Sequence, residues 1–298
     1  MSGRSREGDG MYPTIGPEAL GIRGLSLPAV IDLARAAGFA GLGFDSRAAA
    51  DLIATEGAAA ARQRFADAGV RPALWSLPVA WRDDDRWEGD LRALPRLASA
   101  ARELGSNRTA TYLPSGSDER PYRANFDWHV ARLRPIAEAL RQEGCRLGLE
   151  FIGTKTYRDA FRHPFIHTLD EMMELIAAIG TGNVGLMLDS WHLYASGGSM
   201  ADLDRLTNDD IVVAHVNDAP AGVARDDQID TARALPLETG VIDLVGFMGK
   251  LREIGYDGPV MPEPFSQRLV DLAAESPLAA AREAARSMDA LWRAAGLA

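Results

Sequence analysis

The stretch VGLMLDSWH, residues 184–192, joins an uninterrupted apolar run to an abrupt change to polar side chains. Such a run is typical of a strand that is buried on both faces, as in a parallel sheet. A second segment, IVVAHVND at residues 211–218, has the same order of apolar and polar residues. Because the carboxyl ends of parallel strands meet at one face of a barrel, these two segments predict both a fold and the place of a site.

Helical patterns separate further strand patterns along the chain. Thr168 and Glu171 have the spacing of a capping box, and Gly38, Gly180 and Gly255 lie where helices should end. Eight β-then-α units in roughly 280 residues predict a closed (β/α)₈ TIM barrel, although an open doubly wound sheet has the same periodicity. The predicted strands are Ala19–Ile22, Gly41–Phe44, Pro72–Leu77, Arg108–Leu113, Arg146–Phe151, Val184–Leu188, Val212–Val216 and Pro259–Pro262.

We expect one domain. Residues 1–16 are polar and rich in Gly, Ser and Arg, which predicts a flexible N-terminal leader ahead of a barrel over residues 17–298. No Pro/Gly-rich linker divides the barrel region, and α/β barrels commonly exceed the roughly 150 residues of an average domain.

The composition excludes several classes of protein. The 298 residues include 32 Lys+Arg and 42 Asp+Glu, a formal charge of −10, which argues against nucleic acid as a partner. No apolar run approaches the ~18 residues of a membrane span, and the first residues lack the apolar core of a signal peptide. The single cysteine, Cys145, excludes a disulfide framework and a multi-cysteine metal site. We therefore expect a cytoplasmic protein with no membrane partner.

Four consecutive predicted strands each end on or beside one ionisable side chain: Glu150, Asp189, His215 and Glu263. In a barrel these groups converge on one mouth, where three carboxylates would repel one another and at least one pKa would rise. A divalent cation removes that conflict. Three oxygen donors and one imidazole suit Mn²⁺, Mg²⁺ or Co²⁺, and Zn²⁺ also accepts such a set.

The segments LGLEFIG, LMLDSWH, AHVNDA and GYDGPVMPEPF resemble the xylose-isomerase-like barrel superfamily, which includes ketose 3-epimerases, hydroxypyruvate isomerases and inosose dehydratases. The resemblance extends over roughly residues 18–290. It implies that Glu150, Asp189, His215 and Glu263 bind one catalytic metal ion. It also implies that Glu150 and Glu263 act as an acid–base pair on opposite faces of the substrate, and that His192 contacts a substrate oxygen.

The chain departs from the ketose 3-epimerase pattern at two positions. Thr156 stands where those epimerases have a second glutamate, and Ala221 stands where they have an arginine. Arg225 or Arg233, in the long segment 219–240, could supply the missing charge. Lys155, beside the strand that ends at Glu150, could address a carboxylate or phosphate or lie in solvent.

Three other residues allow two interpretations each. Trp75 and Trp191 could form an apolar wall for a sugar ring or belong to ordinary packing at the barrel rim. Asp218, three residues after His215, could orient that imidazole or a metal-bound water, or cap the following loop.

The leading hypothesis is a metal-dependent isomerase or epimerase of a small keto-sugar, polyol-derived ketone or sugar acid. It would move a proton through an enediolate that the metal stabilises. An inosose or 3-dehydroshikimate dehydratase would use the same site and the same first step. A DNA-repair endonuclease of the endonuclease IV kind, which needs many histidines and a basic face, fits five histidines and a charge of −10 poorly. A non-catalytic binding protein is the fourth hypothesis. We expect a carbohydrate or cyclitol substrate and, because such barrels often associate, a homodimer or homotetramer.

Overall fold

Eight parallel strands close into a barrel in the computed structural model, which describes residues 10–298. Neighbouring strands in the chain are neighbours in the sheet, and the first strand pairs with the last to complete the ring. The predicted single-domain (β/α)₈ barrel is therefore confirmed, and the open sheet is excluded. The strands are β1 (Tyr12–Ile15), β2 (Gly41–Phe44), β3 (Arg71–Ser76), β4 (Arg108–Leu113), β5 (Arg146–Phe151), β6 (Val184–Asp189), β7 (Ile211–Val216) and β8 (Pro259–Pro262).

Helices surround this barrel. The helix that follows residue 168 begins with the predicted capping box, and Gly38, Gly180 and Gly255 end their helices with left-handed φ angles of 91°, 70° and 76°. None of the helices in residues 10–298 is long and apolar enough to cross a membrane. The helices are α1 (Leu27–Ala37), α2 (Ser46–Glu56), α3 (Ala58–Ala68), α4 (Trp87–Leu104), α5 (Tyr122–Gln142), α6 (Lys155–Arg158), α7 (Leu169–Ile179), α8 (Ser190–Ala195), α9 (Leu244–Ile254), α10 (Gln267–Glu275) and α11 (Pro277–Ala294).

The first predicted strand is wrong. Residues 19–22 do not pair; Pro17–Leu20 form a 3₁₀ turn that ends at Gly21, where φ is 78°. The strand lies earlier, at β1, inside the segment predicted as a flexible leader. Pro13 has no N–H and so reads as a loop residue in the sequence, but its carbonyl accepts a hydrogen bond from Ala40 N at 3.1 Å. Residues 1–9 of the predicted leader lie outside the described part of the chain, and the barrel begins at Tyr12 rather than at residue 17. The other seven predicted strands are confirmed to within one residue.

Side chains alternate between the inside of the barrel and the helical layer. Along β3, Leu74 and Ser76 line a central cavity, whereas Trp75 between them joins the large core outside the barrel. This period of two is a property of any strand. The inward side chains that pack together at the bottom of the cavity are Leu74, Ala110, Met187, Val213 and Met261.

One histidine is buried in the outer layer among aromatic side chains. His129 on α5 is 3% exposed, and its Nδ1 lies 2.8 Å from the carbonyl oxygen of Asn125. Its ring stacks on Phe165 at 4.6 Å and meets Trp81 and Trp128 edge-on. Burial lowers the pKa of His129 to about 4, so the ring stays neutral where an unfolded chain would bind a proton.

We expect His129→Phe to make the protein less sensitive to acid. A folded-state pKa below the unfolded value of about 6.5 means that stability is lost as the pH falls from 6.5 toward 4. At pH 5 this loss amounts to about 2 kcal/mol for a pKa of about 4. Urea unfolding measures the difference in the free energy of unfolding between pH 7 and pH 5. We expect this difference to be about 2 kcal/mol smaller in His129→Phe than in the wild-type protein. His163→Phe, at a partly exposed ring, is the control, and an unchanged difference in His129→Phe would contradict the assignment.

Candidate metal centre

The carboxyl ends of β5 to β8 bring four side chains to one point. Glu150 on β5, Asp189 on β6, His215 on β7 and Glu263 directly after β8 each offer one ligand atom, and these atoms all lie within 4.8 Å of one another. The strand register explains the convergence. Asp189 is paired with His215, and His215 is paired with Met261, so the next inward position on the last strand is Glu263.

Three donor atoms of this cluster have no hydrogen-bond partner among the described residues. Glu150 Oε1 and both ring nitrogens of His215 are buried and form no hydrogen bond. His215 Nδ1 lies 3.7 Å from Glu150 Oε1 and 3.4 Å from Glu263 Oε2. Buried polar atoms without partners are rare in proteins, and their convergence fits a cation site. Three carboxylates and one imidazole suit a divalent ion such as Mn²⁺, Mg²⁺, Co²⁺ or Zn²⁺.

Arg233 compensates part of the negative charge. Its Nη1 donates to Asp189 Oδ2 at 2.8 Å and to Glu263 Oε2 at 3.0 Å, and its Nη2 donates to Asp230 Oδ1 at 2.9 Å. The guanidinium lies between two aromatic rings, 5.5 Å from the centre of Trp191 and 4.7 Å from that of Phe265. A buried arginine that is paired and stacked in this way is fixed in place.

The two glutamates have different environments. Burial raises the pKa of Glu150 well above its ordinary value, and the charges of Glu263 and Asp189 raise it further. Burial also acts to raise the pKa of Glu263, but His215 and Arg233 outweigh it and hold that pKa below its ordinary value. The pKa values of the two glutamates are therefore shifted in opposite directions.

His192 is the second histidine at the site. Burial, followed by the charge of Arg233, lowers the pKa of His192 well below its ordinary value, so the ring is neutral. Gly153 N lies 3.2 Å from Nδ1 and Arg233 Nη2 lies 3.1 Å from Nε2, so an N–H donor faces each ring nitrogen. Nε2 faces the cluster, 4.0 Å from Glu150 Oε2 and 3.7 Å from Asp230 Oδ1. His192 therefore lies beside the candidate metal ligands, but its side chain is fully buried and is not among the residues of 10–298 that line the cavity.

Four of the predicted substrate-contacting residues lie elsewhere. Lys155 forms an ion pair with Asp159 at the surface. Arg225 has a side chain that is 52% exposed. Neither is among the residues of 10–298 that line the cavity, and neither are Trp75 and Trp191. Both tryptophans are buried, Trp75 on the outer side of β3 and Trp191 behind Arg233. Of the two candidate arginines, the structure brings Arg233 to the site.

Two contributors to the site were not predicted. Asn217 Nδ2 lies 3.3 Å from both carboxylate oxygens of Asp189, and its Oδ1 accepts from Glu263 N at 2.5 Å. It thereby orients two candidate ligands, and its place in the AHVNDA segment was an available signal. Asp230 holds Arg233 from an irregular loop, where no periodicity marks it.

Asp218 caps the loop that carries Arg233. Its carboxylate accepts hydrogen bonds from the backbone N–H groups of five residues, at 2.7 to 3.1 Å: Ala219, Thr239, Gly240, Val241 and Ile242. Asp218 and Ala234 also exchange backbone hydrogen bonds across the base of the loop. Of the interpretations offered by the sequence, the structure favours the loop cap.

A family assignment follows from comparison with known proteins. The protein family described as "xylose isomerase-like TIM barrel" matches this chain over residues 31–291. The chain therefore belongs to the xylose isomerase-like TIM barrel family, as the sequence motifs predicted.

Among curated relatives, inosose isomerase of Halalkalibacterium halodurans is 30% identical over 156 residues, which cover 51% of this chain and 50% of the relative. L-ribulose 3-epimerase of Mesorhizobium japonicum is 24% identical over 181 residues, 60% of this chain and 54% of the relative. The chain thus spans about half the length of the curated relatives it matches.

Among solved structures, a xylose isomerase domain protein of Alicyclobacillus acidocaldarius has a TM-score of 0.83 and 30% identity over 96% of this chain and 99% of its own. The IolI protein, solved with a bound zinc atom, has a TM-score of 0.74 and 19% identity over 94% of this chain and 98% of its own. At 19% identity, the similarity to the IolI protein shows a shared fold alone.

We expect His215→Ala to reduce the bound divalent metal to well below one ion per chain. The imidazole is the only nitrogen donor of the four, and its removal leaves an open coordination position next to repelling carboxylates. Elemental analysis after loading with Mn²⁺ and desalting measures the stoichiometry. His163→Ala, outside the cluster, should retain the wild-type value. Undiminished metal in His215→Ala would remove this residue from the ligand set.

Proposed function

We propose that the protein is a divalent-metal-dependent isomerase or epimerase of a small keto-sugar, polyol-derived ketone or sugar acid. The observation that carries this proposal is the convergence of Glu150, Asp189, His215 and Glu263 within 4.8 Å. Glu150, His215 and Glu263 also line a cavity of about 690 Å³, which is large enough for a small-molecule substrate. The curated relatives named above, an inosose isomerase and an L-ribulose 3-epimerase, support the same class of reaction.

The four ligands would hold one metal ion, which supplies a Lewis acid for the carbonyl group of the substrate. Glu263, whose carboxylate is kept ionised by His215 and Arg233, is placed to take a proton from the carbon beside that carbonyl. Glu150 lies beside it and, once protonated, would return a proton to the substrate, while Glu263 keeps the one it took.

Two further residues orient the substrate in this proposal. His192, whose Nε2 lies 4.0 Å from Glu150 Oε2, would contact a substrate oxygen next to the reacting carbon, as the family resemblance implies. Arg233 lines the cavity while it holds Asp189 and Glu263, so it fixes the base and faces the substrate at once.

Proton NMR in D₂O of the Mg²⁺-loaded protein, with a panel of ketoses, inososes and dehydroshikimate, tests the reaction class. Deuterium that enters the carbon beside the carbonyl, with the composition of the product otherwise unchanged, is the expected result. New vinylic or enone signals would mean that the same first step ends in loss of water and that the protein is a dehydratase. No exchange with any member of the panel would contradict both.

We expect Glu263→Gln to lower the rate of α-proton exchange by about 10³-fold, because an amide cannot accept the proton. The circular dichroism spectrum should stay nearly unchanged, since the substitution preserves the size of the side chain. Glu275→Gln, on the exposed end of α10, is the matched control and should exchange at the wild-type rate. Wild-type exchange in Glu263→Gln would end its assignment as a proton-transferring group.

A further inference from the structure

Two charged side chains line the cavity outside the metal-ligand cluster and have no part in the proposed mechanism. Glu18 lies in the 3₁₀ turn Pro17–Leu20, and Arg23 lies in the irregular segment that leads from this turn to α1. Both residues are exposed. Within residues 10–298 neither side chain forms a hydrogen bond or an ion pair, and the two do not pair with each other. Their polar atoms are therefore free to contact a ligand.

The segment that carries these two side chains is fixed against the barrel. Leu20 and Ile22, which lie between them in the sequence, are buried. Gly21, at a φ of 78°, lets the backbone approach α10 so closely that a Cβ atom there would lie 2.8 Å from Val270 Cα. Ile22 N closes the turn by donating to the carbonyl oxygen of Pro17 at 3.0 Å. Both charged groups consequently extend from a backbone that is ordered before a ligand binds, which reduces the entropy cost of binding.

Hydroxyl groups of the protein lie in the same lining. Ser76, at the end of β3, is exposed, and its Oγ forms no hydrogen bond within the described residues. Thr111 Oγ1 accepts from Trp81 Nε1 at 3.3 Å, and Tyr112 OH accepts from Arg82 Nη2 at 3.2 Å. Both of these hydroxyl groups still have a proton to donate. This part of the cavity therefore offers donors and acceptors to a polar ligand.

The opposite charges of Glu18 and Arg23 indicate which kind of group they bind. A ligand end with a single charge would be attracted by one of these side chains and repelled by the other. An ionised carboxylate only accepts hydrogen bonds and a guanidinium only donates them, whereas a hydroxyl group does both. Neutral hydroxyl groups can therefore donate to Glu18 and accept from Arg23. Hydrogen bonds to charged groups are also roughly twice as strong as those between neutral groups.

We propose that Glu18 and Arg23 determine substrate specificity by binding hydroxyl groups of the substrate that do not contact the metal-ligand cluster. The inference rests on the proposed function, because the carbonyl group of the substrate lies at that cluster. The substrate is accordingly a neutral polyhydroxyketone, either a keto-sugar or a cyclitol ketone, rather than a sugar acid.

Exchange of α-protons in D₂O, measured on the Mg²⁺-loaded protein, tests the proposal with two neutral ketones. Dihydroxyacetone has no hydroxyl groups beyond those beside its carbonyl group, whereas the ketose or inosose that exchanges fastest in the panel has several. The ratio of kcat/KM for the larger ketone to kcat/KM for dihydroxyacetone measures what the additional hydroxyl groups contribute. We expect this specificity ratio to exceed about tenfold. A ratio near one would overturn the proposal.

Variants at the two exposed positions locate the effect. Glu18→Ala and Arg23→Ala are each expected to lower the specificity ratio by about tenfold, because each removes a charged hydrogen-bond partner. Glu275→Ala on α10 and Arg96→Ala on α4, which are exposed and outside the cavity, are the matched controls and should leave the ratio unchanged. A ratio that Glu18→Ala and Arg23→Ala both leave unchanged would remove these residues from substrate recognition.

An anionic substrate would give a different pattern. Dehydroshikimate carries a carboxylate, which Arg23 would attract and Glu18 would repel. We expect the protein to convert it no faster than the best neutral ketone of the panel. Conversion more than tenfold faster than that ketone, with a preference that Arg23→Ala removes and Glu18→Ala does not, would mean that this part of the cavity binds an anion. The proposal of a neutral substrate would then be wrong.

Binding without turnover distinguishes a failure of this inference from a failure of the proposed reaction. Calorimetry with xylitol and myo-inositol, compared with ethylene glycol, measures affinity for hydroxyl groups in molecules that have no carbonyl group. If no ketone is exchanged but both polyols bind, and Glu18→Ala and Arg23→Ala each weaken that binding by about tenfold, the proposed reaction is wrong and the hydroxyl-binding role stands. If neither exchange nor polyol binding is found, both proposals are overturned.

Discussion

The site depends on the phase of the side chains along the barrel strands. Met187 and Asp189 face inward on β6 while Leu188 between them faces the helices, and β7 repeats this order with Val213 and His215. A slip of one residue in either strand would bury a carboxylate or imidazole among the outer helices and empty the mouth of ligands. The same strand register therefore places the apolar side chains at the bottom of the cavity and the polar cluster at its mouth.

Convergence of this kind has an electrostatic cost, which Arg233 and His215 partly offset. Arg233 donates hydrogen bonds to Asp189 and Glu263 but none to Glu150. The carboxyl groups consequently diverge in proton affinity even though they lie side by side. Arg233 therefore stabilises the buried carboxylates and also contributes to the difference between the pKa values of the two glutamates.

Strand ends could be predicted from the sequence, and positions set by loops could not. Glu150 and Asp189 follow apolar runs whose end is visible in the sequence, so their meeting needs only the closed barrel. Trp75 and Ser76 are adjacent at the end of β3, but only the paired register tells which of the two faces inward. The choice between Arg225 and Arg233 depends on the path of residues 219–240, for which no local pattern existed. β1 was missed because its proline resembles a loop.

Asp218 alone anchors both ends of the loop formed by residues 219–240. Five amide groups from both ends of the loop converge on one carboxylate, which stands one residue beyond Asn217 and its two candidate ligands. Loop and ligands are therefore not separable modules. A designer who grafts residues 219–240 onto another barrel would have to carry Asp218 with them, because without it the transplanted segment keeps its sequence but loses the anchor that aims Arg233.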